Sequence, residues 1–378
     1  INFISTVDGG HTLSVNTGGQ TTFGGAVGAA NALTSLTTDA AGTTMLGGDV
    51  HTTGAQTYND SVTLGNSDIL TGTTVNLLGG VTGSGNSLTV TGNAVLGSVL
   101  SGLNTLSVSG TTALNATGVS TSGDQMYSGA VTLGADTLLT STGGGIDFAS
   151  TVDGAHTLAV QSTSGAATFG DAVGSGVALA GLTTNSSTFS AGDVTVNGPL
   201  SVTTTTGNIS QTSGIFSVGG TSAFNAGSGT ITLNSLNAFT GAVSLTGGTT
   251  QVTNSGDLVL GTLNTGALTV VSNSGALDLG TGTINGDLSA TAATTITVDG
   301  TLAGLGNAAF SGAAPTGTGS ITGTGSITGL GSAAFNLTGN TIGNSGGVTF
   351  NGFTAADTTT VTGASGFDDN ALTSLGMT

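Results

Sequence analysis

Three histidines and eighteen acidic residues are the side chains of this 378-residue chain best suited to act as acids, bases or metal ligands, because Lys, Arg and Cys are absent. His11 and His156 each stand three residues after an aspartate, Asp8 and Asp153, and His51 stands two after Asp49. Each of these spacings suits a local His–Asp pair at a turn, and surface hydrogen bonding is the plainer reading of all three. Two carboxylates close together are the minimum for glycoside cleavage, where separations of about 5 or about 6.5–9.5 Å select the stereochemistry. Asp60 with Asp68, and Asp136 with Asp147, are the pairs that neighbouring coils of a solenoid would bring together. Against that chemistry, most of the acids are isolated beside Gly or Asn, the setting of turn residues. There is no Trp to stack on a sugar, and only Tyr58 and Tyr127 are phenolic.

Calcium suits the composition better than catalysis does. It takes six to eight hard oxygens, which turns rich in Asp, Asn and backbone carbonyls supply. Asp368-Asp369-Asn370 is the densest local cluster and the candidate metal site, and Asp8, Asp49, Asp60 and Asp68 populate a second region. The plainer alternative is that dispersed aspartates keep a nearly neutral fibre soluble. No zinc-protease, phosphate-loop or nucleophile-elbow motif accompanies these residues. Phosphoryl transfer lacks any cation to stabilise the transferring group. Catalytic and cofactor-binding residues are therefore expected to be absent. Asn59, Asn115, Asn185, Asn208 and Asn336 each begin an Asn-x-Ser/Thr triplet, a weak glycan-acceptor signal in a chain so rich in both residue types.

The formal charge is −18 with nothing opposing it. No side chain neutralises a phosphate at neutral pH, so nucleic acid is not expected as a partner and an anionic membrane surface is disfavoured. The lack of Lys and Arg also removes every cleavage site for trypsin-like proteases, which suits exposure outside a cell. Apolar residues make up 36% of the chain and mean hydropathy is +0.34, too apolar for a disordered polymer. No apolar stretch reaches the eighteen residues of a membrane-spanning helix. Ile1 is no initiator Met and no signal-like segment precedes the repeats, so the chain is expected to be a processed product or an excerpt.

The elements that must position these residues are short strands. Apolar residues alternate in pairs such as Leu13/Val15, Val62/Leu64, Val131/Leu133, Leu258/Leu260, Leu277/Leu279 and Val348/Phe350. Period two marks a strand with one face buried. Between the pairs lie Gly, Asn, Ser, Thr and Asp, which form tight corners, and Pro199 and Pro315 are expected in corners as well. The residues that dominate are weak helix formers. Whole segments recur: Val7–Leu13 as Val152–Leu158, Gly54–Gly65 as Gly123–Gly134, Asn254–Gly261 as Asn273–Gly280, and Leu305–Phe310 as Leu330–Phe335. The last two offsets, nineteen and twenty-five residues, are read as coil lengths. Repetition of this kind means a solenoid in which each strand pairs with its equivalent above and below.

The expected fold is all-β, a right-handed parallel β-helix (β-solenoid) with coils of about 19–25 residues, running as a single body over residues 1–378. Internal units fall at roughly 1–145 and 146–255. A simpler Gly/Thr/Ala-rich region covers 256–347, expected to be a narrow coil packed on small residues, with Ile321, Ile327, Leu330 and Phe335 inward. A terminal coil spans 348–378. A β-sandwich, the alternative, needs longer strands and fewer copies of them.

The segments Thr53–Gly65 and Val152–Leu158, together with the repeat style of the chain as a whole, resemble the repeat region of large bacterial surface proteins of the filamentous-haemagglutinin and autotransporter-adhesin type. The resemblance implies a right-handed parallel β-helix, export across an outer membrane, and adhesive, biofilm or matrix roles. Neither the secretion domain nor the C-terminal membrane barrel of such proteins is recognisable, which leaves the export route open. The functional expectation is a secreted, extracellular or cell-surface structural or adhesive shaft without enzymatic activity. It is expected to associate with itself through its solenoid ends or with neighbouring shafts, and to meet glycans. The alternative is a polysaccharide-active or polysaccharide-binding β-helix.

Overall fold

The computed structural model describes residues 1–329, 335–338, 341–344, 348–353 and 355–356, the strands 335–338, 341–344 and 355–356 by their backbone. The chain forms two compact units, Ile1–Asn197 and Gly198–Thr378. Each is a parallel β-solenoid. Among the described residues no helix is long and apolar enough to cross a membrane.

One coil of the first unit shows how the sequence pattern becomes structure. Leu106–Val108, Thr112–Leu114 and Gly118–Thr121 are three strands on three sides, and each pairs in parallel with the strand one coil later: Leu106 with Gln125, Thr112 with Val131, Gly118 with Leu138. The sides carrying these three strands are called one, two and three below. The alternation decides which residues enter the interior. Every pair predicted to point inward is buried, save that Leu13 is only half-buried. The inward residues form columns, and where aromatics are partners in register they stack. Tyr127 lies 5.1 Å from Phe148, and Phe148 lies 5.0 Å from Phe169. Such offset stacks add about 0.5–1.5 kcal/mol each beyond the area they bury.

Corners need residues without a Cβ where successive coils touch. Gly54, Gly72, Gly92, Gly110 and Gly129 stand one above another between sides one and two. Gly92 has φ +132°, and a Cβ there would run into the Gly72 carbonyl oxygen. No other residue type meets both conditions.

In the second unit, Leu258 pairs with Leu277 and Leu277 with Ile296, one coil apart each time, as the nineteen-residue copy predicted. Over residues 256–329 the simplified region is regular coil. Ala290, Ala292, Ala308, Ile321 and Ile327 fill its interior, while the side chains of Leu330 and Phe335 lie outside the described residues. Three expectations are corrected. Coils can be shorter than nineteen residues, since Asn237 pairs with Asn254 after a register shift that drops residues from the later coil, and Val243 pairs with Leu260. The pairing is also not parallel throughout: Phe335–Thr338 pairs antiparallel with Thr341–Asn344, which pairs antiparallel with Thr349–Asn351. This excursion separates Ile321 from its parallel partner Phe350. Finally, Pro199 is an exposed corner residue as expected, but Pro315 is buried at the start of the strand Pro315–Thr316, a position where a missing N–H is tolerated.

Candidate functional site

The aspartates answer first, because the coils show what they are for. Asp49 Oδ1 accepts the Ile69 N–H at 2.8 Å, Asp124 Oδ1 that of Gly145 at 2.8 Å, and Asp136 Oδ1 that of Thr157 at 2.8 Å. In the second unit Asp257 serves Ala276 and Asp287 serves Asn307 in the same way, both at 2.8 Å. Each donor lies one coil further along. At a corner the carbonyl ladder of the strands is interrupted, and a carboxylate on one coil supplies the acceptor that the N–H of the next would otherwise lack.

The predicted His–Asp pairs are rearranged by the same demand. Asp8 accepts from Ala30 and Asn31, and Asp153 from Gly176 and Val177, so both are committed to the coil above. His156 instead lies 3.6 Å from Asp136 on the coil below, the one His–carboxylate pair among the described residues. Asp136 is held below the usual carboxylate range, chiefly by the Thr157 N–H and less by His156. Asp147, proposed as its partner, lies on the outer face of side one beside Met126 and Thr168. There, with Asp124 and Gly145, it lines a shallow hollow of about 200 Å³. Asp368, Asp369 and Asn370 lie outside the described residues. Among those described, no group of three or more His, Cys, Asp or Glu is arranged to hold a metal ion.

The interior of the first unit holds a motif that the repeat search found without its meaning. The 69-residue match equates Thr52, Gln56 and Tyr58 with Thr121, Gln125 and Tyr127. All six are at most 4% exposed. The Tyr58 hydroxyl donates to Gln56 Oε1 at 3.0 Å, and Gln56 Nε2 donates to the carbonyls of Val50 at 3.1 Å and Thr71 at 2.9 Å. In the second copy the Tyr127 hydroxyl donates to Gln125 Oε1 at 3.0 Å, and Gln125 Nε2 to the carbonyls of Val119 at 3.4 Å and Thr140 at 2.9 Å. Both threonines donate to the carbonyl two residues on, Gly54 or Gly123. The glutamine thus ties its own strand to the preceding side of its own coil and of the next. The two copies nevertheless occupy different sides. Gln56 pairs with Val75 and, through Ala94, leads to Thr112 on side two, whereas Gln125 lies on side one.

Around the first copy only, two carboxyl groups are buried. Asp60 accepts from the hydroxyls of Thr38 at 2.6 Å and Thr44 at 2.9 Å. Asp68 is 2% exposed, and neither of its oxygens has a hydrogen-bond partner. Burial, and then the charge of Asp49, push Asp68 up to about 7. The pair Asp60/Asp68 is therefore not an open catalytic dyad, because both groups face the interior of one coil. Burial pushes both tyrosine hydroxyls well above their ordinary range, so they remain neutral donors.

A comparable network in the second unit escaped the sequence reading. Gln211 Nε2 donates to Asn237 Oδ1 at 2.7 Å, while Asn237 Nδ2 donates to the Leu233 and Thr253 carbonyls at 3.1 Å each. Its only advance signal was an amide standing where the alternation calls for an apolar residue.

Residues 177–246 and 265–316 match the model of a family described as repeats of unknown function (DUF5649). No curated protein and no solved structure matches the chain.

Proposed function

We propose that this chain is a structural shaft of a secreted or surface-attached fibre, adhesive in role and without enzymatic activity. The observation that carries the reading is the use made of its acids. Asp49, Asp124, Asp136, Asp257 and Asp287 are engaged as acceptors for the neighbouring coil, and their spacing follows the coil rather than a substrate. The aromatic side chains point the same way: Tyr58, Tyr127, Phe148, Phe169 and Phe216 are at most 1–2% exposed, so they are spent on the interior instead of forming a sugar-stacking platform. The outer columns are largely hydroxyl and amide, as in Thr63, Thr82 and Ser101 in register, a surface suited to many weak hydrogen-bonding contacts. Secretion and cell-surface placement rest on the adhesin-like repeat style and on the absence of Lys and Arg. Association between copies belongs to the same reading. With a charge of −18, it would depend on salt or calcium to screen the carboxylates.

Incubating the protein with a panel of neutral and acidic glycans, and measuring both retention and chain length, tests the proposal. Retention without shortening is the expected result. Reproducible cleavage abolished by replacing a single aspartate would overturn it in favour of a polysaccharide-active solenoid.

A further inference from the structure

Asp68 stands where the pattern of the chain places a hydrocarbon. It opens the strand Asp68–Leu77 and pairs with Leu88, which pairs in turn with Leu106, so the next two members of its column are apolar. Leu70, two residues on, is fully buried and Ile69 between them is exposed, which confirms the inward direction of Asp68. The titratable groups that face it are few. Asp49 lies on the coil below, and Tyr58 and Asp60 lie on the preceding part of its own coil. The coil above brings Ser87, whose carbonyl accepts the Asp68 N–H at 3.1 Å, and Leu88. The nearest histidine in sequence, His51, is on an exposed position of the coil below.

The second copy of the repeat shows what this position requires. Thr137 stands 69 residues after Asp68, and its hydroxyl donates to the carbonyls of Ala116 at 2.8 Å and Ala135 at 3.0 Å. In the second copy this position is filled by a donor. A carboxylate has only acceptors, whereas a carboxylic acid keeps one O–H. We propose that Asp68 is held in the folded protein as a neutral carboxylic acid and acts as a pH-sensitive latch, whose ionisation loosens the corner joining the coils of Asp49, Asp68 and Ser87. Burial and the like charge of Asp49 both act in this direction. Between the ordinary value of 3.8 and about 7, the folded chain keeps a proton that the unfolded chain has released. Stability therefore falls as pH rises through that window and levels off above it.

The test compares the full chain with Asp68→Thr, which installs the donor of the second copy, and with Asp68→Asn. Thermal melting is followed from pH 4 to 9, together with amide exchange at Ile69 and Leu88. The wild type is expected to lose several degrees relative to Asp68→Thr as pH rises, with the protection of the corner amides relative to their intrinsic exchange rates falling in the wild type alone. All other aspartates are common to both chains and cancel in the difference. Parallel melting curves for the two chains would overturn the proposal, as would an Asp68 carboxyl ¹³C signal that titrates near pH 4. It would also be overturned if calcium at pH 8 raised the wild-type melting temperature and left that of Asp68→Thr unchanged, because the carboxylate would then be held by a cation. Should Asp68→Thr fail to fold, the Asp68→Asn curve and the carboxyl titration of the wild type decide the question.

Discussion

Replacing Tyr127 by Phe removes a single oxygen from the centre of the first unit, and the geometry says what that oxygen is worth. Its hydroxyl donates to Gln125 Oε1 at 3.0 Å, with both residues fully buried. One net hydrogen bond contributes about 1 kcal/mol, and a buried acceptor left without a donor costs about 1–3 kcal/mol more. Gln125 cannot turn its amide to recover, because Nε2 is already bonded to the Val119 and Thr140 carbonyls. Tyr127→Phe should therefore cost about 2–3 kcal/mol. Gln125→Leu places an aliphatic side chain between its register partners Leu106 and Ile146, but it strands the tyrosine hydroxyl and two carbonyls. Its cost should be about 3 kcal/mol. In the double variant the hydroxyl and its stranded partner disappear together, so the cost should fall short of the sum of the singles by about 2 kcal/mol. Urea unfolding of all four chains, followed by circular dichroism, measures this coupling. Costs that add to within about 0.5 kcal/mol would refute the brace, because the tyrosine would then be acting only as a packed ring.

Four further outcomes follow from the coil geometry. Leu279→Asp places a lone carboxyl on a fully buried position and should cost at least about 4 kcal/mol at pH 7, read as a loss of cooperative unfolding in the second unit. Gly92→Ala should cost about 1–3 kcal/mol from its φ of +132° and the obstructing Gly72 carbonyl, and a neutral result in thermal melting would show that the corner can relax. Asp257→Ala removes the acceptor of the Ala276 N–H and should cost about 1 kcal/mol while accelerating amide exchange at Ala276. Asp136, its value lowered in the fold, contributes stability above the ordinary carboxylate range that is lost as pH falls through the lowered value. NMR titration should find it below a typical aspartate, and His156→Asn should shift it only slightly because the Thr157 N–H is the larger cause.

The alternation of apolar residues made the strands legible, because a side chain that points inward every second residue leaves that mark whatever the corners do. Corners were legible only in kind. Gly, Asn and Asp announced turns, but nothing in the sequence told that Asp153 would reach forward to Gly176 while His156 would reach back to Asp136. Those choices depend on where the next coil brings its N–H groups, which is a property of the stack. The interior polar residues failed for a related reason. Asp68-Ile69-Leu70 reads equally well with Ile69 inward, and only the register with Leu88 decides that the aspartate is the buried one. The hairpin at Phe335–Asn344 was hidden because its strands carry the same short Thr/Ile/Asn vocabulary as the coils around them.

The rotation of the Gln-x-Tyr brace from side two to side one explains how such a chain can lengthen. From Gln56, three coils along the same side lead to Thr112. The second brace lies two strands beyond, after Gly118–Thr121. A duplication of 69 residues is thus not a whole number of coils, yet its second copy rebuilds the same hydrogen bonds. That is possible because sides one and two are interchangeable as environments for the brace, each offering a neighbour strand above and a preceding side to tie to. The brace is self-contained for the same reason: its partners lie within its own segment and one coil on, so it moves as a unit. Asp68 marks the limit of this freedom, since Thr137 at the matching position satisfies the donor requirement that an ionised aspartate does not. A scaffold in which two sides accept the same brace can therefore take a repeat that is not a whole number of coils, and what such a repeat varies is which outer residues fall on which face.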